Sequence, residues 1–146
     1  MSDLTRPTTA DLAALHPDVR ARVEAMIADL RGQGCLPLVF ETARSPERAA
    51  YLASIGRSQA GTASLHVPRS DGLARAADVV DGRRDEHGRL LLWGGAFPGD
   101  PPDISARREA AAADYFRAQG AAAARAGLTW GGSWRSFRDP AHVELA

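Results

Sequence analysis

The sequence has few of the features that tie a protein to a membrane, to nucleic acid or to an oxidising compartment. Its one cysteine, Cys35, excludes an internal disulfide. Eighteen basic and eighteen acidic residues cancel, so no net charge attracts nucleic acid or an anionic membrane. No apolar run approaches the roughly 18 residues of a membrane span, and the polar N-terminus lacks the apolar segment of a secretory signal. We therefore expect a protein made in the cytoplasm that binds neither nucleic acid nor membrane.

The 146 residues and the apolar share of 45% fit one domain with one core, over residues 1–146. Helical spacing predicts a helix from Pro17 to about Gly32 with one buried apolar stripe. Ser45 and Pro46 predict the start of a second helix, which Gly56 ends. Further helices are expected over residues 11–15 and 105–126, and strands over residues 36–42, 74–80, 89–93, 128–134 and 141–145. A polar turn that starts at Asp81-Gly82 and runs to Gly88 is expected to join the second and third of these strands in a hairpin.

Two histidines and two acidic residues stand out because of their spacing. His66 precedes Asp78 in one stretch, and Asp139 precedes His142 near the C-terminus. Two imidazoles and one carboxylate suit a zinc site with an open fourth position. A further carboxylate three residues before the last histidine suits a general base. Either histidine alone is more often a surface residue than a ligand, so the interpretation depends on the combination.

Four motifs in order carry a resemblance: Ser-x-His, Ala-Arg-Ala-Ala-Asp, Trp-Gly-Gly-x-Trp and Asp-x-x-His. They resemble the family of zinc D-alanyl-D-alanine carboxypeptidases and L-alanyl-D-glutamate endopeptidases, which includes phage endolysins and resistance dipeptidases. The resemblance covers residues 40–145 and is closest to the endolysin pattern in residues 126–134 and 137–145. It implies an α+β fold of the hedgehog and D,D-peptidase type, with zinc on one face of a small antiparallel sheet flanked by helices.

The resemblance also implies roles for individual residues. The zinc ligands would be His66, Asp78 and His142, and Asp139 would be the catalytic acid and base. Arg44, in Thr42-Ala43-Arg44-Ser45, matches an active-site arginine that can hold an oxyanion or a substrate carboxylate through two hydrogen bonds. The alternative interpretation is that Arg44 is a surface arginine at the edge of a helix. The remaining candidates for substrate contact are Ser64, which matches the Ser-x-His motif, and Trp130, which like Trp134 is expected to form wall or core.

The spacing between the first two proposed ligands departs from the family. Eleven residues separate His66 from Asp78, more than the family usually has, so residues 67–71 are expected to loop out beside the metal. This leaves Asp71 and Asp81 as alternatives to Asp78. Glu144 shares a strand face with His142 and either supports that ligand or is a solvated acid.

The expected function is zinc-dependent hydrolysis of an amide bond in peptidoglycan stem peptides, with the L-alanyl–D-glutamate bond as the first choice. A D-alanyl-D-alanine carboxypeptidase or dipeptidase is the alternative, and another divalent metal is not excluded. A different class is a metal-retaining wall-binding module without catalysis, which would have no reason to keep Asp139. The endolysin-like tail favours phage or prophage lysis, after release through a membrane hole made by a partner.

Overall fold

The computed structural model, which describes residues 3–145, has an α+β architecture in which helices cover an antiparallel sheet. Its strands are β1 (Pro37–Glu41), β2 (Ala76–Arg84), β3 (Leu90–Leu92), β4 (Leu128–Trp130) and β5 (His142–Leu145). Its helices are α1 (Pro17–Gly32), α2 (Pro46–Ser54) and α3 (Pro102–Arg125), with 3-10 turns at Leu12–Ala14, Gly61–Ala63 and Gly131–Ser133. None of these helices is long and apolar enough to cross a membrane. The expected fold class is confirmed.

Strand β2 is the centre of the sheet. It pairs with β1, with β5 through its first residues and with β3 through its last, and β4 lies beyond β5. In this register Asp78 lies opposite Glu41 of β1 and opposite His142 of β5. Three polar residues far apart in the sequence thus form one row across three strands.

The core lies where α1 and α3 pack against each other and against the sheet. The predicted stripe of α1 is buried, as expected from its helical spacing: Val19, Val23, Met26, Ile27 and Leu30. Helix α3 adds Tyr115 and Phe116. Gly120 is in the interior of α3, and a Cβ there would lie 2.5 Å from the Trp130 ring. This glycine therefore leaves the space that the Trp130 ring occupies.

Strand β2 is longer than the sequence predicted. The expected hairpin with β3 is present, but the predicted start of its turn at Asp81-Gly82 is wrong, because both residues continue the strand. The Gly82 amide donates to the Leu36 carbonyl at 2.7 Å, and the Asp81 carboxylate accepts from the Arg83 guanidinium. The Gly82 amide and the Asp81 carboxylate therefore have hydrogen-bond partners while both residues continue the strand, and they need no turn to supply them.

The turn of this hairpin occurs at Asp85 instead. The Asp85 carboxylate accepts from the backbone amides of His87 and Arg89, which is the usual way in which aspartate stabilises a turn. It also pairs with the buried Arg108 of α3 at 2.6 Å. Burial alone would raise the pKa of Asp85, but these amides and guanidinium groups outweigh it and hold the pKa below its ordinary value.

The segment before α1 also differs from the prediction. Residues 11–15 form only the short 3-10 turn Leu12–Ala14, which Asp11 caps by accepting a hydrogen bond from the Ala13 amide. Pro17 then begins α1 as predicted, and the ring of His16 accepts a hydrogen bond from the Asp18 amide.

Candidate metal centre and cleft

Three of the predicted site residues converge on one point of the sheet. His66, Asp78 and His142 each offer a ligand atom, and these atoms lie within 4.8 Å of one another. Nε2 of His66 lies 3.1 Å from an Asp78 carboxylate oxygen, and Nδ1 of His142 lies 3.5 Å from the same oxygen. All three residues are buried. The cross-strand register brings Asp78 and His142 together, and the turn after Gly61–Ala63 brings in His66.

In each imidazole ring, the outer nitrogen, which points away from Asp78, is hydrogen-bonded to an acceptor. Nδ1 of His66 lies 2.8 Å from the Thr42 carbonyl oxygen, and Nε2 of His142 lies 2.8 Å from a Glu144 carboxylate oxygen. Because these oxygens only accept, the outer nitrogens carry the hydrogens, and the inner nitrogens can present lone pairs toward Asp78. Two imidazole lone pairs and a carboxylate then face one another, which is a donor set that fits zinc.

The electrostatics of the cluster favour a positive charge among these three groups. Burial alone would raise the pKa of Asp78, but the two imidazole rings outweigh it and hold the pKa far below its ordinary value. Burial lowers the pKa of His142, but hydrogen bonds to Asp78 and Glu144 outweigh it and raise the pKa to about 9. Either a proton or a metal cation can supply this positive charge, and the convergence of three ligand atoms suits a metal cation.

Asp139 lies beside the cluster and is not one of the three converging ligands. It is half-buried and lines the cavities on both sides of the site. Burial, followed by repulsion from Asp78, raises the pKa of its carboxyl. Its backbone is fixed by Gly131, whose carbonyl accepts from the Asp139 amide at 3.1 Å. A Cβ at position 131 would lie 2.4 Å from the Asp139 carbonyl oxygen, so only glycine permits this approach.

Arg44 is buried next to the cluster, and its guanidinium contacts the groups that surround the site. Its Nη2 lies 3.8 Å from Asp78, and its Nη1 lies 3.5 Å from the hydroxyl oxygen of Ser64. That hydroxyl also accepts from the His66 amide. Arg44 is therefore neither a surface arginine nor remote from the site, and Ser64 connects it to the first histidine.

Glu41 and Arg48 are two site-supporting residues that the sequence reasoning missed. The Glu41 carboxylate is fully buried and accepts from Nε of Arg44 at 3.1 Å and from Nε of Arg48 at 2.6 Å. The two guanidinium groups thus share one carboxylate, which fixes the direction of Arg44. In the sequence, Glu41 lies near the end of a predicted strand, and arginines follow it three and seven residues later. This spacing could have indicated the contact.

The two alternatives to Asp78 lie elsewhere. Asp71 is exposed and paired with Arg75 at 2.7 Å, and Asp81 is buried and paired with Arg83 at 2.8 Å. None of residues 67–71 lines the cavities beside the cluster of His66, Asp78 and His142. The loop inserted between His66 and Asp78 therefore does not close the cleft.

Two cavities flank the cluster and share part of their lining, and we call the two together the groove. The first, of about 550 Å³, is lined by His66, His142 and Glu144 together with polar loop residues. The second, of about 520 Å³, reaches toward Phe40 and Trp93. Both are lined by Arg44, Arg57, Phe137 and Asp139, so they meet at the candidate catalytic residues.

The two C-terminal tryptophans have different environments. Trp130 donates from Nε1 to the Pro140 carbonyl at 2.7 Å and packs against Gly120 and Gly132, and it lines neither cavity of the groove. Trp134 lines the first cavity, with its ring 5.1 Å from that of His142. Trp130 thus supports the loop between Asp139 and His142 from behind, whereas Trp134 is the tryptophan that faces the groove.

Comparisons with known proteins agree with this fold. Residues 102–145 match a family model described as D-alanyl-D-alanine carboxypeptidase. The fold is similar to the crystal structure of the Serratia marcescens L-Ala D-Glu endopeptidase ChiX, with a TM-score of 0.62 and 24% sequence identity, over 92% of this chain and 83% of that one. No curated protein matches the chain in sequence. The resemblance to D-alanyl-D-alanine carboxypeptidases is thereby confirmed in sequence over residues 102–145, and the fold is similar to that of an L-Ala D-Glu endopeptidase over most of the chain.

Proposed function

We propose that the protein is a zinc-dependent peptidase that hydrolyses an amide bond in peptidoglycan stem peptides, and that this bond joins L-alanine to D-glutamate. One observation carries the proposal: two imidazoles and a carboxylate converge in a groove, with a further half-buried carboxyl, Asp139, beside them. The family model over residues 102–145 and the similarity in fold to an L-Ala D-Glu endopeptidase support the substrate class.

His66, Asp78 and His142 would hold the metal, through Nε2, a carboxylate oxygen and Nδ1 respectively. When bound, zinc supplies Lewis acidity that polarises the scissile carbonyl and activates water. The carboxylate of Asp139 takes the proton of the attacking water and returns it to the leaving amine. Such a general base contributes about 10² to 10⁴ in rate. Arg44, fixed by Glu41, holds the developing oxyanion or a substrate carboxylate.

The shape of the groove favours an endopeptidase. Cavities extend on both sides of Asp139 and Arg44, so a chain can continue in both directions from the scissile bond. A dipeptidase requires a closed pocket that reads both ends of a small substrate. The second candidate is a D-alanyl-D-alanine carboxypeptidase, which the description of the family model favours.

A wall-binding module without catalysis is disfavoured by Asp139. Its carboxyl is not needed to complete the ligand set, yet it lies at the junction of the two cavities. The endolysin-like tail further suggests wall lysis by a phage or prophage, after the protein leaves the cytoplasm.

Purified sacculi incubated with the protein and analysed by mass spectrometry would test the proposed bond. New N-terminal D-glutamate is the expected product, and release of free D-alanine alone would favour the carboxypeptidase. Metal analysis should find one zinc per chain. Full activity after exhaustive chelation would contradict the metal-dependent mechanism, and sacculi left intact by zinc-loaded protein would contradict the proposed function.

A further inference from the structure

The proposed substrate has two different chemical parts on either side of the scissile bond. On the acyl side, L-alanine is the only amino acid before the N-acetylated sugar to which the stem peptide is attached. On the amine side, D-glutamate begins a peptide that carries free carboxylates. Because one extended residue spans about 3.5 Å, the sugar must lie inside the groove and not beyond it. This step rests on the proposed function.

The two ends of the groove differ in their aromatic side chains. Phe40, Tyr51 and Trp93 border the second cavity and not the first, whereas Trp134 borders the first and not the second. Arginines border both ends, so their charge does not distinguish them. The cluster of aromatic side chains is therefore the feature that sets the second cavity apart.

Trp93 is the most prominent feature of the aromatic end. Trp93 is 42% exposed and is one of the exposed large apolar side chains of the described residues. The Phe40 ring meets it edge-on, with centroids 4.7 Å apart and planes at 80°, and so restricts its orientation. An oriented, exposed indole offers a flat apolar face against which the C–H face of a sugar ring can stack.

Backbone strain also coincides with the groove. Within residues 3–145, the non-glycine residues with positive φ are Leu92 and Phe137, both at 51°. Leu92 directly precedes Trp93, and Phe137 lines both cavities. Such conformations are unfavourable for these side chains and are concentrated in proteins at sites that contact ligands. The strained backbone at Leu92 and Phe137 indicates that Trp93, which follows Leu92, and Phe137 itself are held in position beside the groove.

We propose that the second cavity is a glycan subsite, in which Trp93 stacks on the N-acetylated sugar that carries the stem peptide. The first cavity then receives the acidic peptide, so the substrate has one direction across the metal cluster. A volume of about 520 Å³ falls within the range of small-ligand sites, roughly 300 to 1,000 Å³, and accommodates a sugar ring.

The test compares ligands that differ only in the sugar. All proteins in this test carry Asp139→Ala, which is expected to retain zinc and to prevent turnover of the ligand; in this test, wild type means no further substitution. Binding to the full-length, zinc-loaded chain is measured by calorimetry for a disaccharide-linked stem peptide and for the same peptide N-lactoylated without sugar. Wild type should bind the sugar-bearing ligand more tightly. Trp93→Ala should weaken binding of that ligand by about tenfold, the order expected for one well-oriented aromatic contact, and leave the sugar-free peptide unchanged. Trp93→Phe should retain part of the affinity.

The matched control is Leu36→Ala, which removes an apolar side chain that is 56% exposed and lies outside both cavities. It should bind both ligands as wild type does. The subsite is contradicted if wild type binds the two ligands equally, or if Trp93→Ala weakens both to the same degree. Sugar-dependent binding that requires Trp93, together with no hydrolysis of any stem-peptide bond by the zinc-loaded chain that retains Asp139, would support the subsite and contradict the proposed endopeptidase.

Discussion

The hydrogen bond between Glu144 and His142 allows a quantitative prediction about metal affinity. Nε2 of His142 lies 2.8 Å from the Glu144 carboxylate, and both side chains are largely buried, with 10% and 24% of their surface exposed. Glu144→Ala removes the acceptor, so the ring loses the contact that directs Nδ1 toward Asp78. Partners of this kind are worth about 10- to 100-fold in metal affinity, or about 1.4 to 2.8 kcal/mol. We expect the lower part of that range, because water from the first cavity can replace the carboxylate.

Glu144→Gln separates orientation from charge. Its amide oxygen can still accept from Nε2, so we expect zinc affinity within about threefold of wild type if orientation is the main effect. Competition with a chromophoric zinc chelator measures the affinity, and circular dichroism checks the fold. Glu109→Gln, on the exposed surface of α3, is the control for loss of one negative charge.

Two outcomes would refute this reasoning. Unchanged zinc affinity in Glu144→Ala would mean that the carboxylate does not orient the ligand. An equal loss in the alanine and glutamine variants would mean that charge, and not ring orientation, is the contribution of Glu144.

Four further predictions concern catalysis and stability. Asp139→Ala should retain zinc and lose about 10² to 10⁴ in turnover; loss of zinc from the folded variant would make Asp139 a ligand. Arg44→Lys should reduce turnover nearly as much as Arg44→Ala, because lysine keeps the charge but not the planar fork; near-normal rates would contradict this. Gly120→Ala should lower the melting temperature, since overpacking against Trp130 costs about 1 to 3 kcal/mol and exceeds the helix-propensity gain of about 1 kcal/mol; a rise would show that the ring moves freely. Asp85→Asn should lower the melting temperature at pH 7. Because the folded-state pKa of Asp85 is depressed, that stabilisation exists above the unfolded value of about 3.9 and is lost as the pH falls below it. The difference from wild type should therefore narrow in acid, and a constant difference would contradict the assignment.

Local sequence signals were sufficient for most helices. The α1 stripe was predicted because apolar residues that recur at helical spacing must share one face. Ser45 and Pro46 marked the start of α2 for an equally local reason: the Ser45 hydroxyl accepts from the Arg48 amide within the same turn. The turn at Asp81-Gly82 was predicted wrongly, since the bonds that keep these residues in β2 include one to Leu36, a residue distant in sequence.

The sequence by itself determined the fold class and the residue types of the candidate site, because His66, Asp78, Asp139 and His142 lie in recognisable motifs. It left open which aspartate accompanies the histidines. Only the cross-strand register favours Asp78 over these alternatives, because it places Asp78 next to His142, whereas Asp71 and Asp81 pair with arginines.

The tertiary structure alone decided the supporting contacts and the groove. The carboxylate shared by Arg44 and Arg48, the ring of Trp130 against Gly120, and the edge contact of Phe40 with Trp93 each join side chains from different elements. Motif spacing indicates which residue types lie close together within one segment. Contacts between segments depend on how β1, β3 and β4 are placed in space. For that reason the sequence indicated the proposed metal ligands, whereas the direction of the groove and its aromatic end followed only from the folded chain.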